Sequence, residues 1–353
     1  MKCLKVPIKK GEETLKILRQ HSLKADGFKI MRENGFLLIP VKETVTVKDL
    51  ENVRNRIGSL ELVECKVEKV EQKKISITDF LRGKLPEELL NFIPSSFDVI
   101  GHVAIVKIPL ELKKYEQLIG QALIETHKNI KTVLAKETAV TGKFRLRDFR
   151  LIAGENKTET IHKEYGCSFF LDVKKTFFSP RLANEHFRIS SLVNEGETIV
   201  DMFAGVGPFS ILIAKKHRNV KVYAIDVNPD AIEYLKRNIA LNKVEDKVFP
   251  ILGDVEEASK SIEKEKINRV IMNLPEESFR YLKTACNLLK VGGIIHFYCF
   301  EDEPNPLEKA SRKLKEAVKT VSGRDGKIIF GKLVKEVAPR RWMIGLDFLL
   351  LKS

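Results

Sequence analysis

The residues of this chain best suited to chemistry stand where apolar runs end. Gly205 and Gly207 lie in Asp201-Met202-Phe203-Ala204-Gly205-Val206-Gly207-Pro208-Phe209-Ser210, directly after an apolar run at 198–202. Two glycines in such a loop let backbone approach a ligand closely. Pro208 suits the first turn of a helix, where its missing N–H costs nothing. Strand, glycine turn and helix in that order form the nucleotide-cofactor site of an open α/β sheet. A second apolar run at 221–225 ends in Asp226-Val227-Asn228-Pro229. The Asp226 carboxylate can there take both hydroxyls of a ribose. Asn228 and Pro229 also make a helix N-cap and first position, a sufficient structural role in itself. A third run at 248–252 closes with Gly253-Asp254, which brings Asp254 to the same sheet edge, where it can meet an adenine amino group.

NAD and S-adenosylmethionine both present an adenosine to such an edge. Ser210 stands where a dinucleotide fingerprint has its third glycine, and the loop carries Asp201 in place of an uninterrupted phosphate cradle. A carboxylate repels pyrophosphate but suits a cationic amino group, so S-adenosylmethionine is the expected cofactor. A fourth run at 269–272 leads into Asn273-Leu274-Pro275-Glu276. An asparagine amide offers a donor and an acceptor together, which is what reading a nucleobase edge requires. An NAD oxidoreductase fits Ser210 and Asn273 least.

The elements that must hold these residues fit a chain of 353 residues, 43% apolar and 31% charged, long enough for two or three domains. No run approaches the roughly eighteen apolar residues of a membrane span, and no apolar signal core follows the lysine-rich start. No membrane association and a cytoplasmic location are therefore expected. Cys3, Cys65, Cys167, Cys286 and Cys299 are odd in number, widely spaced and without a Cys-x-x-Cys pair, which indicates neither a disulfide framework nor a zinc site. The histidines lack ligand spacing too, and no metal is expected. A net charge of +14, from 62 Lys and Arg against 48 acids, favours a polyanionic partner, although a lysine-rich surface is also what heat adaptation produces.

In chain order, residues 1–64 read as a small α/β unit: a strand at 2–8, a helix at 12–21, two strands within 28–41 and a helix at 47–57. The charged segment 66–74 reads as a linker. A middle domain at 75–176 has helices at 77–82, 87–92 and 111–127 and a strand at 98–108. In Lys143-Phe144-Arg145-Leu146-Arg147-Asp148-Phe149-Arg150 the alternation predicts a strand with Arg145 and Arg147 on one face. Such a strip is either a solvated face or a contact to phosphate or a purine carbonyl. Next, Phe178-Ser179-Pro180 signals a helix start, putting Glu185 and Arg188 on one helical face, the spacing of an ion pair. Residues 177–353 then supply the cofactor domain, in which a fifth strand at 294–300, a helix at 306–320 and a closing antiparallel pair at 327–335 and 342–351 complete the sheet. Five parallel strands with such a hairpin are the α/β architecture of Rossmann-like class I methyltransferases.

The linked motifs Phe144-Arg145-Leu146-Arg147, Ala153-Gly154-Glu155-Asn156-Lys157-Thr158, Ile161-His162-Lys163-Glu164, Phe178-Ser179-Pro180-Arg181-Leu182, the glycine loop and Asn273-Leu274-Pro275 resemble, over essentially the full chain, the archaeal and eukaryotic tRNA (guanine-N1)-methyltransferases that act at tRNA position 37. The resemblance implies a Rossmann-like sheet preceded by two smaller RNA-binding α/β domains, and methyl transfer from S-adenosylmethionine to N1 of the guanosine 3′ of the anticodon. It implies Glu185 as general base, Arg145 as the group stabilising charge on guanine O6, and Asn273 as the reader of the guanine edge. Arg181, Leu182, Phe203, Asp226, Val227, Asn228 and Asp254 would line the cofactor. tRNA is the expected partner and the chain is expected to act as a monomer. Glu185 would need desolvation to raise its pKa toward neutrality. Where relatives can carry arginine this chain has His186, to which no role is given. Some relatives have Asn-Pro-Pro-Tyr in place of Asn-Leu-Pro-Glu, and certain of those methylate a tricyclic wyosine precursor. The leucine here favours the simple guanosine methylase. A wyosine-pathway enzyme moving the aminocarboxypropyl group, and a non-catalytic RNA-binding scaffold, are the other readings.

Overall fold

A computed structural model describes residues 1–69, 75–138, 142, 144–264 and 266–352. It divides into two compact units, Met1–Ile75 and Ser76–Ser353. The first carries β1 (Lys2–Pro7), α1 (Gly11–Gln20), β2 (Met31–Glu33), β3 (Phe36–Pro40), α2 (Val47–Ile57) and β4 (Glu61–Glu64). Its antiparallel sheet has the order β2-β3-β1-β4. The two strands expected within 28–41, β2 and β3, meet at Asn34-Gly35, both at positive φ, the geometry of a two-residue hairpin turn. Thr46 and Asp49 close a capping box on α2. Leu4, Val6, Leu18, Ile39 and Val53 fill the core.

One sequence expectation fails in this unit. Cys3 and Cys65 are joined by a disulfide. Pairing of β1 with β4 sets Cys3 opposite Val63, so residues 62 apart in sequence have Cα atoms 6.5 Å apart. Cysteine spacing carries no trace of that strand pairing, and β4 itself, short and mostly exposed, shows no alternation. Of the linker expected at 66–74, residues 70–74 lie outside the described residues.

The second unit begins with α3 (Ile77–Leu81), β5 (Asp98–Ile100), β6 (Val103–Val106), α4 (Glu116–Thr126), β7 (Thr132–Lys136) and β8 (Phe149–Gly154). These strands form a four-stranded sheet in that order. The single strand expected at 98–108 is instead the pair β5 and β6, broken at Gly101, which takes φ +57. The turn at 87–92 is a 3₁₀ helix. The strand expected at 143–150 exists only from Phe149 onward. Arg145 has φ +55 and its N–H bonds Gly142 O at 3.0 Å, so the chain turns there despite its alternating pattern; Lys143 lies outside the described residues.

After the hairpin β9 (Glu159–Glu164) and β10 (Cys167–Asp172) come α5 (Ala183–Leu192), β11 (Thr198–Asp201), α6 (Pro208–Lys216), β12 (Lys221–Asp226), α7 (Pro229–Asn242), β13 (Val248–Leu252), α8 (Val255–Ala258), β14 (Ile267–Met272), α9 (Leu282–Leu288), β15 (Leu289–Asp302), α10 (Pro306–Ser322), β16 (Gly326–Ala338) and β17 (Arg341–Leu350). The seven-stranded sheet runs β13-β12-β11-β14-β15-β17-β16, parallel from β13 to β15 and closed by the antiparallel β17 and β16. The strand order reverses between β11 and β14, which places a ligand crevice at their carboxyl ends. Helices cover both faces, and one buried cluster joins Ile100, Val103 and Ile105 to Phe169, Leu182, Ile189 and Phe209. Among the described residues no helix is long and apolar enough to cross a membrane.

Candidate active site

The glycine loop forms as its residue types dictate. Gly205 has φ +55 and Gly207 φ +91, left-handed conformations that glycine adopts without the steric cost a β-carbon brings. A β-carbon on Gly207 would also collide with Leu235 and Ile211, so this glycine lets α6 pack closely. Asp226, at the end of β12, accepts the Gly205 N–H on Oδ2 at 2.7 Å and the Asn228 N–H on Oδ1 at 2.9 Å. Burial pushes its pKa up, against the pull of those backbone donors. Asn228 caps α7 by accepting the Asp230 N–H at 3.0 Å, and its amide donates to Lys175 O at 2.8 Å. Its side chain is thus engaged at both ends. Asp254 caps α8.

These ends enclose a cavity of about 480 Å³, bordered by Phe203, Gly205, Asp226, Val227, Asn228 and Asp254, with Leu182 and Tyr281 closing it. The size is that of a small-molecule site. Apolar walls with carboxylates at two strand ends match an adenosine, whose flat ring needs burial and whose hydroxyl and amino groups need acceptors. Each Asp226 oxygen keeps a second lone pair beyond its backbone bond.

Asp201 departs from expectation. It does not border this cavity, is fully buried, and accepts the Ser210 hydroxyl at 2.7 Å. Burial raises its pKa to about 7. Its Oδ2 pairs inward with the helix because Ser210 occupies the strand-facing position of α6, while Oδ1 is buried without a hydrogen-bond partner, so neither oxygen is presented to this cavity.

A second cavity of about 600 Å³ adjoins the first, and Arg145, Phe177, Phe178, Ser179, Leu182 and Asn273 border both. Asn273 follows β14, and its Oδ1 is buried without a hydrogen-bond partner. Such an atom costs roughly 1–3 kcal/mol unless something fills it. Arg145 donates to Glu276 Oε2 at 2.8 Å and lies over the Phe177 ring, 5.7 Å from its centre. Arg147 borders the larger cavity as well. A shared cationic face therefore arises from a loop, where the sequence pattern indicated a strand. Arg181 borders this cavity and not the first, because its Nε is drawn to Asp98 Oδ1 at 2.6 Å. Lys335, which the sequence placed in a closing strand but not in a site, also borders it; burial pulls its pKa down to about 8.

Glu185 borders neither cavity. It is 1% exposed, and Oε2 accepts from the Tyr298 hydroxyl at 2.8 Å and from Arg188 Nε at 3.0 Å. Lys332 Nζ stands 2.8 Å from Oε1. The spacing with Arg188 does yield an ion pair, a buried one. Burial alone would raise the Glu185 pKa as expected, yet Lys332, Arg188 and Tyr298 outweigh it and hold the carboxyl below its ordinary value. His186, next in sequence, does border the first cavity; its Nδ1 is 2.6 Å from Glu164 Oε1, and its ring meets Phe209 edge-on. Tyr298, Lys332 and Lys335 escaped sequence reading because they come from β15 and β16, more than a hundred residues from Glu185, with no local motif around them.

Residues 160–324 match the model of the TRM5/TYW2 methyltransferase domain, 77–158 the TYW2 N-terminal domain and 3–49 the tRNA methyltransferase 5 N-terminal domain. A Pyrococcus abyssi relative named tRNA (guanine(37)-N(1))-methyltransferase Trm5b is 43% identical, with 98% of each chain covered. A solved complex of aTrm5 with tRNALeu is 38% identical, covers 98% of this chain and 99% of its own, and has a TM-score of 0.70. A Methanocaldococcus jannaschii relative, tRNA(Phe) (4-demethylwyosine(37)-C(7)) aminocarboxypropyltransferase, is 35% identical over 71% of this chain and 96% of its own. With its glycine loop, strand-end carboxylates and closing antiparallel strands, this chain belongs to the TRM5/TYW2 methyltransferase family.

Proposed function

We propose that this protein methylates N1 of guanosine 37 in tRNA with S-adenosylmethionine as donor. The observation that carries the reading is the unpartnered Asn273 Oδ1 at the wall between the two cavities, with Arg145 bordering the same wall. Asp226 would hold the ribose hydroxyls and Asp254 the adenine amino group, with Leu182, Phe203 and Val227 around the ring and Asn228 fixing the loop. Arg181 would serve the nucleotide side, since it borders the larger cavity. The bound donor supplies an electrophilic methyl group.

Guanine N1 carries a proton and is no nucleophile until that proton leaves, while negative charge gathers on O6. The Asn273 amide would pair with the guanine edge and Arg145 would receive the charge on O6, exchanging Glu276 for it. Glu185 would take the N1 proton, which requires its carboxylate to turn from Tyr298 and Arg188 toward the larger cavity when the base arrives. None of these roles calls for a metal. Residues 1–64 and 75–176 would contact the tRNA and 177–353 would carry the chemistry, in a monomer acting in the cytoplasm.

The second reading, wyosine-pathway chemistry by aminocarboxypropyl transfer or tricyclic-base methylation, draws on the 35% identical transferase. It is the weaker one because that likeness leaves out more of this chain. One experiment decides among them: purified protein, unmodified tRNA and S-adenosylmethionine, followed by mass analysis of the digested nucleosides. N1-methylguanosine is expected. An aminocarboxypropyl adduct on a tricyclic base, or no product despite tRNA binding, would replace the methylase by the transferase or by an RNA-binding scaffold.

A further inference from the structure

Behind the larger cavity lies a chain of buried and half-buried charges. From Glu185 it passes to Arg188, whose Nη1 and Nη2 donate to Asp347 at 2.6 and 3.2 Å. Asp347 also accepts from His296 Nδ1 at 2.7 Å, and His296 Nε2 lies 3.3 Å from Arg269 Nη1. Arginine can only donate, so His296 is the neutral Nδ1–H tautomer, in accord with the lowering of its pKa by burial. Arg269 in turn forks onto Glu197.

Counting charges along this chain singles out one residue. Arg269 is neutralised by Glu197, His296 is uncharged, and Arg188 is a single cation between two carboxylates, Glu185 and Asp347. Asp347 is held ionised, its pKa pulled down to about 2 by His296 and Arg188 against its burial. Of the remaining partners of Glu185, Tyr298 is neutral and fully buried. The second carboxylate therefore has Lys332 as its counter-charge, 2.8 Å from Oε1. The neighbouring His186 is occupied by Glu164. The approach of Lys332 lies outside hydrogen-bond angles, which leaves Oε1 as the oxygen without an aligned donor. Lys332 stands on the edge strand β16 with its side chain 35% exposed, more than any other charged member of the chain. Leu182, one helical turn before Glu185, and Phe300, two residues beyond Tyr298, both border the larger cavity.

We propose that Lys332 is a positioning residue of the methylation reaction, supplying the counter-charge that keeps Glu185 an ionised, oriented proton acceptor. This rests on Glu185 being the base. As the methyl group leaves the donor's sulfur, which keeps the electron pair of the broken bond, and bonds to N1, the N1–H bond breaks and its proton passes to Oε1. Lys332 then faces a neutral carboxyl, an arrangement that favours release of the proton to solvent and restores the anion. Without Lys332, a buried anion would be left one cation short, and its proton affinity would rise.

The test is single-turnover methylation of tRNA at saturating S-adenosylmethionine, each variant expressed as a ratio to the parent between about pH 5.5 and 8. For Lys332→Gln the ratio should fall by at least about fivefold toward the acid end, while Lys332→Arg should keep it flat. Adding Asp347→Asn to Lys332→Gln frees Arg188 for Glu185 and should flatten the ratio again, whereas damage to folding would worsen it. A flat ratio for Lys332→Gln, or a double variant as pH-sensitive as the single, overturns the proposal. Glu185→Gln at the parental rate would instead overturn the assignment of the base, so the two failures are distinct.

Discussion

The two cavities are built by different means. The smaller is made of strand ends: β11, β12 and β13 each finish in a loop whose glycine or carboxylate is set by the backbone, and Asp226 stitches two of those loops together through N–H groups. The larger is made of side chains from distant segments, held by ion pairs such as Arg145 with Glu276 and Arg181 with Asp98. Backbone-built sites are stiff and carry local sequence signatures. Side-chain-built sites leave little local trace and can rearrange when a substrate replaces one partner of each pair. A cofactor common to many reactions suits the first kind, and recognition of one particular base suits the second.

If that division holds, substitutions around the larger cavity should change rate and those in the smaller should change cofactor affinity. The largest effect is expected at Glu185, which borders neither cavity at rest and would turn toward the larger one when the base arrives. Loss of a general base lowers rates by about 10²–10⁴, so Glu185→Gln should reduce single-turnover methylation within that range while calorimetry finds S-adenosylmethionine affinity unchanged. A variant that loses cofactor binding in parallel would mean that the two cavities share more than a wall. Next comes Arg145→Ala, expected to lower the rate by about 10²-fold as a donor to developing negative charge is lost. Inosine at the target position should remain a substrate of the parent, since it keeps N1 and O6, and adenosine should not react.

Asp226→Ala should act on the other side of the division. Hydrogen bonds to a charged group contribute about 1.5–3 kcal/mol, so cofactor affinity should drop by roughly 10- to 100-fold with little change in rate at saturation. An unchanged dissociation constant would remove Asp226 from the ribose. Deleting residues 1–75 should leave cofactor affinity intact, because every residue bordering either cavity belongs to the second unit. tRNA binding, and its dependence on salt, should weaken.

The same contrast explains what the sequence disclosed. The parallel strands were legible as apolar runs punctuated by glycine or aspartate, and Gly205, Asp226 and Asp254 stood out as candidates because one strand-loop-helix unit fixes each of them. Phe144 to Arg147 misled, since alternation suits a strand, yet the chain turns at Arg145 to reach the cavity. Cys3 with Cys65 was invisible without knowing that β1 and β4 are neighbours. For Glu185 the sequence supplied the ion pair with Arg188 of α5 but not Lys332 of β16 or Tyr298 of β15, which with Arg188 hold its carboxyl below the ordinary value against burial. Electrostatic environments assembled across a hundred residues have no period and no motif.

The smallest effect on the reaction is expected at Asp201, although it lies in the most recognisable motif of the chain. It borders neither cavity, so Asp201→Asn should leave cofactor affinity and rate nearly unchanged; its effect should appear in the pH dependence of stability. In the folded protein burial raises its pKa from 3.8 to about 7, while the unfolded chain keeps the ordinary value. Below both values each state holds the proton and the group favours neither. Between them the unfolded state has given up its proton and the folded state has not, so stability declines as pH rises through this window and levels off above about 7. Asparagine does not titrate, and its carbonyl can still accept the Ser210 hydroxyl. Denaturant unfolding of parent and variant from acid to neutral pH should therefore show a difference that shifts steadily in the variant's favour as pH rises. Parallel curves across that range would mean that Asp201 is ionised in its buried position, and that the smaller cavity rests on a charge as well as on backbone.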